Sequence, residues 1–272
     1  MKKHTKLLLL LFLIISLSGF TQVDTLPLSR NNKFILSMSA GISIPLGDFS
    51  FYAGQNYYSN ILSGYPKTGF SGKVDVCYLF SKYHFGISLS LLSSINKSWS
   101  EYEGSYYRLP TTALGGGTVI TSYSYETKNW YFTSILAGLF FEPIHLSGFS
   151  LRFWLAGGML QAICPESNLY QTGYFWEMGQ PETPFHENVS QPQMFSYKFA
   201  LNTGYNFSIS LIHKLRAVIS FDFLASDAIF HGVITDCFEW DPQQQYRSET
   251  PITITKRVYI LNCNFGLAYT FN

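Results

Sequence analysis

Charge is scarce in this sequence. Only 13% of its 272 residues are Asp, Glu, Lys or Arg, about half the share near 25% of a soluble globular domain. The charges also nearly cancel, 18 basic against 17 acidic, so no basic surplus exists to neutralise a phosphate backbone, and nucleic acid is excluded as a partner. Four cysteines are too few for a disulfide scaffold at this length. Beyond residue 21 no apolar run approaches the roughly 20 residues of a membrane-spanning helix; the best is Ile135 to Phe141. What stands in place of charge is aromatic: 24 Phe and 19 Tyr within a 47% apolar chain. That balance is the reverse of disorder. The length bounds the chain to one large domain or two small ones.

Residues 1–21 open with Met1, Lys2, Lys3, His4, Thr5 and Lys6, continue apolar from Leu7 to Leu17, and close on Ser18, Gly19, Phe20 and Thr21. A basic start, a short apolar middle and small residues describe a secretory signal peptide, with cleavage before Gln22. The apolar run is too short to span as a helix, which argues against an uncleaved anchor. Loss of Lys2, Lys3 and Lys6 turns the net charge from one positive to two negative. The sequence divides into a signal peptide 1–21, a short periplasmic segment 22–32, and a β-barrel domain 33–272.

Period-two alternation dominates that domain. Phe34, Leu36, Met38, Ala40, Ile42 and Ile44 alternate with Ile35, Ser37, Ser39, Gly41 and Ser43, the pattern of a strand with two unlike faces. It recurs over Phe70–Phe80, Tyr83–Leu91, Tyr197–Leu211, Leu215–Phe223 and Tyr259–Phe271. Trp130–Phe141 and Phe149–Gln161 are apolar on both parities and read as two further strands. These eight strands run about ten to sixteen residues, against the 5–6 usual in soluble proteins. A tilted strand crossing a bilayer takes about 9–11.

Short connections at Ser81-Lys82, Glu142–Gly148 and Ile212–Lys214 alternate with structureless stretches near 46–68, 96–124, 163–194 and 225–254. Short turns at one end and long loops at the other, with an even strand number, are the topology of outer-membrane barrels. The sequence therefore predicts an all-β fold: an eight-stranded, antiparallel, up-and-down transmembrane β-barrel with short periplasmic turns and four long extracellular loops, in the outer membrane. A soluble lipocalin-like barrel would need a polar exterior, which this composition lacks.

In such a barrel the larger apolar parity faces lipid and the small polar parity faces the lumen. Lys73, Asp75, His84, Arg152, Lys198, Arg216 and Asp222 then point inward, with Gly86, Ser88, Gly204 and Gly266 leaving room for them. An eight-stranded lumen is just wide enough for side chains to fill it, so these charges predict a polar plug rather than a pore. Phe34, Phe80, Tyr83, Phe149, Tyr269 and Phe271 at one end, and Phe70, Trp130, Phe195 and Tyr197 at the other, suit interfacial aromatic girdles.

The stretch Gly41-Ile42-Ser43-Ile44-Pro45-Leu46-Gly47-Asp48-Phe49, followed by Lys67-Thr68-Gly69-Phe70-Ser71-Gly72, resembles the opening hairpin of Bacteroidota outer-membrane beta-barrel domain proteins, the PorT-like and OmpX-like small barrels. The Thr21-Gln22 cleavage zone and the ending Gly266-Leu267-Ala268-Tyr269-Thr270-Phe271-Asn272 are similar to that group as well; members usually end on the aromatic itself. The resemblance implies insertion by the barrel-assembly machinery. PorT-like members are components of a protein-secretion apparatus, so a secretion-system partner is one reading it brings.

Cys164 and Cys237 fall in two long loops on the oxidising side, where a disulfide between them is one reading and two free thiols the other. Cys77 by parity faces the lumen and Cys263 the lipid. His186, His231, Asp227 and Asp236 carry no local signature of a catalytic constellation. Asp236, Glu239 and Asp241 lack the spacing of a calcium loop. Gly115-Gly116-Gly117 has no following Lys-Ser/Thr and is no phosphate cradle. No catalytic residue, cofactor or metal is expected. The loops are rich in Tyr57, Tyr58, Tyr106, Tyr107, Tyr170, Tyr174, Phe175, Trp176 and Trp240, residue types that concentrate binding energy. They either dock an extracellular protein or pack on one another over the barrel mouth. The expected role is structural or partner-binding; a secretion component, a narrow solute channel and a lipid-modifying rim enzyme are the alternatives.

Overall fold

A strand with unlike faces is stable only where each face finds a matching environment, and a row of such strands ends in unpaired backbone unless it closes. This chain closes. A computed structural model describes residues 33–49, 66–80, 84–98, 107–110, 117–145, 148–176, 183–212, 214–241 and 244–271; the expected signal peptide and residues 22–32 lie outside them. Twelve strands are formed among the described residues: β1 Lys33–Pro45, β2 Pro66–Leu79, β3 Phe85–Ser98, β4 Tyr107–Pro110, β5 Gly117–Thr127, β6 Trp130–His145, β7 Phe149–Cys164, β8 Ser167–Trp176, β9 Thr183–Gln191, β10 Met194–Ile212, β11 Leu215–Asp241 and β12 Gln244–Phe271.

Eight of them form an antiparallel ring in the order β1, β2, β3, β6, β7, β10, β11, β12. It is sealed by β12 against β1, from Phe34 opposite Phe271 to Pro45 opposite Ile260. All eight strands expected from the alternation belong to this ring.

The long connections differ from expectation in being folded. β11 does not stop near Phe223, nor does β12 begin at Tyr259; they continue as one hairpin to Asp241 and Gln244. Beyond the ring β11 pairs with β9, β9 with β8, β8 with β5 and β5 with β4. The described residues of stretches 96–124, 163–194 and 225–254 thus build an outer sheet rather than structureless loops. Their polar alternation masked the strands. At the opposite end β6 runs through Glu142 to His145, so the expected turn at 142–148 is tighter than the sequence implied.

Within the ring the parity is as the sequence predicts. Ile35, Ser37, Ser43, Ser71, Lys73, Asp75 and Cys77 are buried inside. Met38, Ile42, Phe70, Leu139, Leu155, Phe199 and Phe265 stand fully out on the exterior, Phe70 75% and Leu139 65% exposed. Of the aromatics expected at strand ends, Phe34, Phe70, Phe80, Phe195, Tyr197, Tyr269 and Phe271 are on the outer face, and Tyr83 lies outside the described residues. Trp130 is a correction. It is completely buried, stacked on Phe132 with ring centroids 6.0 Å apart and met edge-on by Phe49 and Phe230. Its parity partners Phe132, Leu136 and Phe140 are all inward, and apolar residues on both parities hide which face β6 turns in.

Candidate functional site

The interior divides into a charged layer and an apolar layer. At the centre of the first is Lys73 on β2. Its Nζ lies 2.7 Å from Asp222 on β11, a direct reach across the lumen, and 3.2 Å from Asp75 two residues along its own strand. Asp75 accepts from Ser90 and, at 3.3 Å, from Ser37; Asp222 accepts from Ser220 at 3.3 Å. Each carboxylate therefore has a hydroxyl donor besides the ammonium, as a buried charge requires.

Toward the short-turn end lies a second ion pair. Arg152 on β7 donates from Nη2 to Glu142 Oε2 at 2.9 Å and from Nε at 3.2 Å, a forked contact that suits the planar guanidinium. Its Nη1 approaches Cys77 Sγ at 3.6 Å. Arg216 donates to Ser150, which is hydrogen-bonded to Ser208.

Two glycines set this geometry, though not by making room for charge directly. A Cβ on Gly86 would collide with the Phe140 ring, and one on Gly204 with the Trp154 ring. Those rings lie where the side chains are missing, and the cations stack on them: Arg152 4.5 Å from the Phe140 centroid, Lys73 4.0 Å from that of Trp154. Cation over ring adds attraction where water is excluded. Trp154 in turn donates from Nε1 to Asn202 at 2.7 Å. Each glycine holds a ring and each ring holds a cation.

Of the seven charged residues expected inside, Lys73, Asp75, Arg152 and Asp222 are buried within these clusters and Arg216 joins them half-buried. His84 is corrected. It sits at the head of β3 with φ 55° and is pinned to the end of β6: Glu142 N–H donates to its carbonyl at 2.8 Å, and its Nδ1 is 3.1 Å from the Glu142 carbonyl. Lys198 is corrected too. It lies opposite buried Leu160, but it is exposed, and among the described residues no bond joins it to the clusters. Glu142 escapes the sequence reading because it falls in an expected turn; counting parity onward through Ser134, Leu136, Gly138 and Phe140 would have placed it inside.

Toward the long-connection end the lumen is closed by carbon. Phe49, Leu92, Trp130, Phe132, Leu136, Leu160, Leu224, Phe230, Val258 and Ile260 form one buried cluster. No cysteine bridge reinforces it. Cys164 and Cys237 are both free thiols. Cys164 neighbours Met194, whose sulfur reaches Gly232; Cys237 lies five strand residues further out, about 17 Å and beyond disulfide reach. Of the two readings the sequence left open, the structure shows the free thiols and not the disulfide.

The outer sheet reverses the barrel's polarity. Its shielded face carries Tyr125, Leu169 and Val189 in one cluster with Ile234, and a stack of Phe175, Phe185 and Phe238 with centroids 5.1 to 5.6 Å apart. Phe175, expected as a free contact aromatic, is therefore packed. Tyr170 and Tyr246 are exposed, and Tyr174 is half-buried in β8. Trp176 and Trp240 end β8 and approach the β11 tip; their side chains, with Tyr57, Tyr58, Tyr106 and Tyr107, lie outside the described set. Glu166 at the head of β8 is ion-paired with Lys128 at 2.7 Å, and β9 carries Glu187 with no Lys or Arg. Glu187 on β9 faces Gln171 of β8 and Phe238 of β11, with Asp236 diagonal to it. Burial, then the neighbouring Asp236, push its carboxyl up to about 7.

The residues weighed as catalytic or calcium-binding do not converge. His186 is exposed on the face opposite Asp236, His231 contacts Thr253 at 3.1 Å, and Asp227 lies opposite Arg257. Among the described residues no three His, Cys, Asp or Glu gather as a metal site.

No family model matches this chain, and no curated protein does. Solved structures with a similar course are outer-membrane proteins. OprG of Pseudomonas aeruginosa aligns with 11% identity and TM-score 0.42 over 89% of this chain and 97% of its own. Ail, the attachment invasion locus protein of Yersinia pestis, aligns with 14% identity and TM-score 0.39 over 89% and 99%. A major outer membrane protein of Thermus thermophilus gives 14% and 0.38 over 88% and 99%. The assignment of an eight-stranded all-β barrel rests on the closed ring itself.

Proposed function

We propose that this chain is an outer-membrane barrel that presents its outer sheet as a docking surface for an extracellular protein, its lumen being a structural plug. One observation carries the membrane part. On the exterior of the ring, residues are apolar from Phe34 to Ile44 on β1 and from Tyr259 to Phe271 on β12, close to the 9–11 residues of a bilayer-crossing strand. Past Phe223 and Tyr259 the same parity becomes mixed, bringing in Asp227, His231, Thr253, Thr255 and Arg257 beside Ile229 and Val233. A change of solvent along one continuous hairpin accounts for that switch. The three aromatic rings stacked behind the shielded face hold the outer sheet rigid, and a rigid surface binds with less ordering cost than a loop.

Crosslinking in intact cells followed by mass spectrometry tests the docking role: a partner joined through β8, β9 or the β11–β12 tip supports it, and neighbours restricted to lipid and barrel wall remove it. The first-hairpin resemblance favours a second reading, a PorT-like component of a secretion system; deletion of the gene would then strand cargo in the periplasm. With the lumen packed by Lys73, Asp222, Arg152 and the Trp130 cluster, purified protein in planar bilayers gives no steady porin-sized conductance. A reproducible large step contradicts the plug.

A further inference from the structure

Two asparagines on β12 face into the lumen with polar atoms that the protein leaves unmatched. Asn262 and Asn264 are both completely buried. Among the described residues neither the Nδ2 nor the Oδ1 of Asn262 has a hydrogen-bond partner; Asn264 accepts from Ser71 through Oδ1, but its Nδ2 has none. Leaving such groups unmatched is costly, and buried polar groups without protein partners are ordinarily met by something else. Their surroundings are small and polar: Ser43 and Gly41 lie across from them on β1, Asp222 and Ser220 on β11. Gly41 belongs to the site, because a Cβ there would stand 2.8 Å from Asn264 Oδ1.

The chemistry of what fits is restricted. Two amide NH2 groups point into the space, and a cation cannot sit against them. Asp222 lies beside Asn262, and its carboxylate turns an anion away. The ligand is neutral, and it both donates and accepts, since one carbonyl oxygen and two NH2 groups await partners. On the outer side lies the buried Trp130 cluster, which favours an occupant of few atoms. We infer that Asn262 and Asn264 hold one or two internal water molecules, which bridge the amides to Asp222 and Ser220 and form part of the charged layer. Such water makes about three hydrogen bonds and is costly to remove. It also supplies polarisable contacts to the Lys73–Asp222 pair, which protein donors alone satisfy only through Ser220.

Nuclear magnetic resonance on the full barrel in lipid nanodiscs tests this without any substitution. The side-chain NH2 protons of Asn262 and Asn264 are expected to show Overhauser cross-peaks at the water frequency, with the sign of long-lived bound water. Cross-peaks to protein protons alone overturn the assignment. A second readout is Asn262→Leu, which keeps the branching and heavy-atom count and removes the amide. If water satisfies that amide, the substitution shifts the unfolding equilibrium about fivefold or more toward the unfolded state; a shift toward the folded state means a dry orphan and overturns the proposal. Crystals soaked in rubidium salt close the remaining option: no anomalous peak is expected at Asn262, and one within bonding distance of its Oδ1 replaces water with a cation.

Discussion

β11 and β12 belong to two structures at once, and the contrast between their inner and outer lengths is instructive. In the ring they turn Ser220, Asp222, Asn262 and Asn264 inward and Phe221, Phe223, Phe265 and Leu267 outward. Past Phe223 and Tyr259 the inward parity is Ala228, Phe230, Ile254 and Val258, and the outward parity gains Asp227, His231, Thr253 and Arg257. The backbone, register and twist continue unbroken from Leu215 opposite Tyr269 to the bulge at Glu239. Only the solvent differs. A sheet in lipid hides its polar side, and a sheet in water hides its apolar side.

Breaking the charged layer has the largest effect expected. Asp222→Ala removes the carboxylate nearest Lys73 and leaves a buried ammonium with Asp75 alone; a cost of about 3–5 kcal/mol follows from such a loss, read as a lowered urea midpoint in micelles. The outer sheet contrasts with this. Its ion pairs Lys128–Glu166 and Arg247–Glu249 are exposed, and Glu249→Gln changes stability by less than about 1 kcal/mol.

The inversion itself is tested by one substitution type at two heights. Leu139→Arg places a charge on the exterior mid-ring and is expected to cost about 2–4 kcal/mol. Val233→Arg, exposed on the same parity of β11 above the switch, stays within about 0.5 kcal/mol. Equal effects at the two positions would refute the change of solvent.

The smallest effect is on pH response, and it falls on the outer sheet alone. Glu187 has its carboxyl raised to about 7, so the folded sheet binds its proton more tightly than the unfolded chain does. Stability is therefore highest below the ordinary carboxylate range, near 4.5, and is lost as pH rises through about 7. Because Glu187 is only half-buried, solvent screening keeps the effect modest. Hydrogen exchange of the β9 amides, corrected for intrinsic rates, should quicken between pH 5 and 8 by about threefold. Glu187→Gln should flatten that profile, leaving β3 unchanged in both proteins.

The eight ring strands were legible because one face is small and polar while the other is large and apolar, a contrast that β1, β2, β3, β10 and β12 display without interruption. β6 and β7 concealed their direction: both parities are apolar where the aromatic cluster fills the lumen, so Trp130 could be taken for an exterior girdle residue. The outer strands were illegible for another reason. Runs such as Thr250 to Arg257 alternate, but with the opposite sense, and a reader tracking lipid-facing carbon sees the strand stop. Within the charged layer, the sequence marked Lys73, Asp75, Arg152 and Asp222 as inward. Its partnerships come from strand stagger and ring closure, which bring β2 to β11 across the barrel.

The sequence alone therefore determined the number of long strands, their order and, for all but β6 and β7, the side each presents, because alternation with period two is written locally, residue by residue. Only the tertiary structure decided that Lys73 meets Asp222, that Gly86 and Gly204 seat the rings beneath two cations, and that the long connections fold into a sheet. Those outcomes depend on which distant residues share a level in the closed ring, a property of strand tilt and shear that no single strand contains.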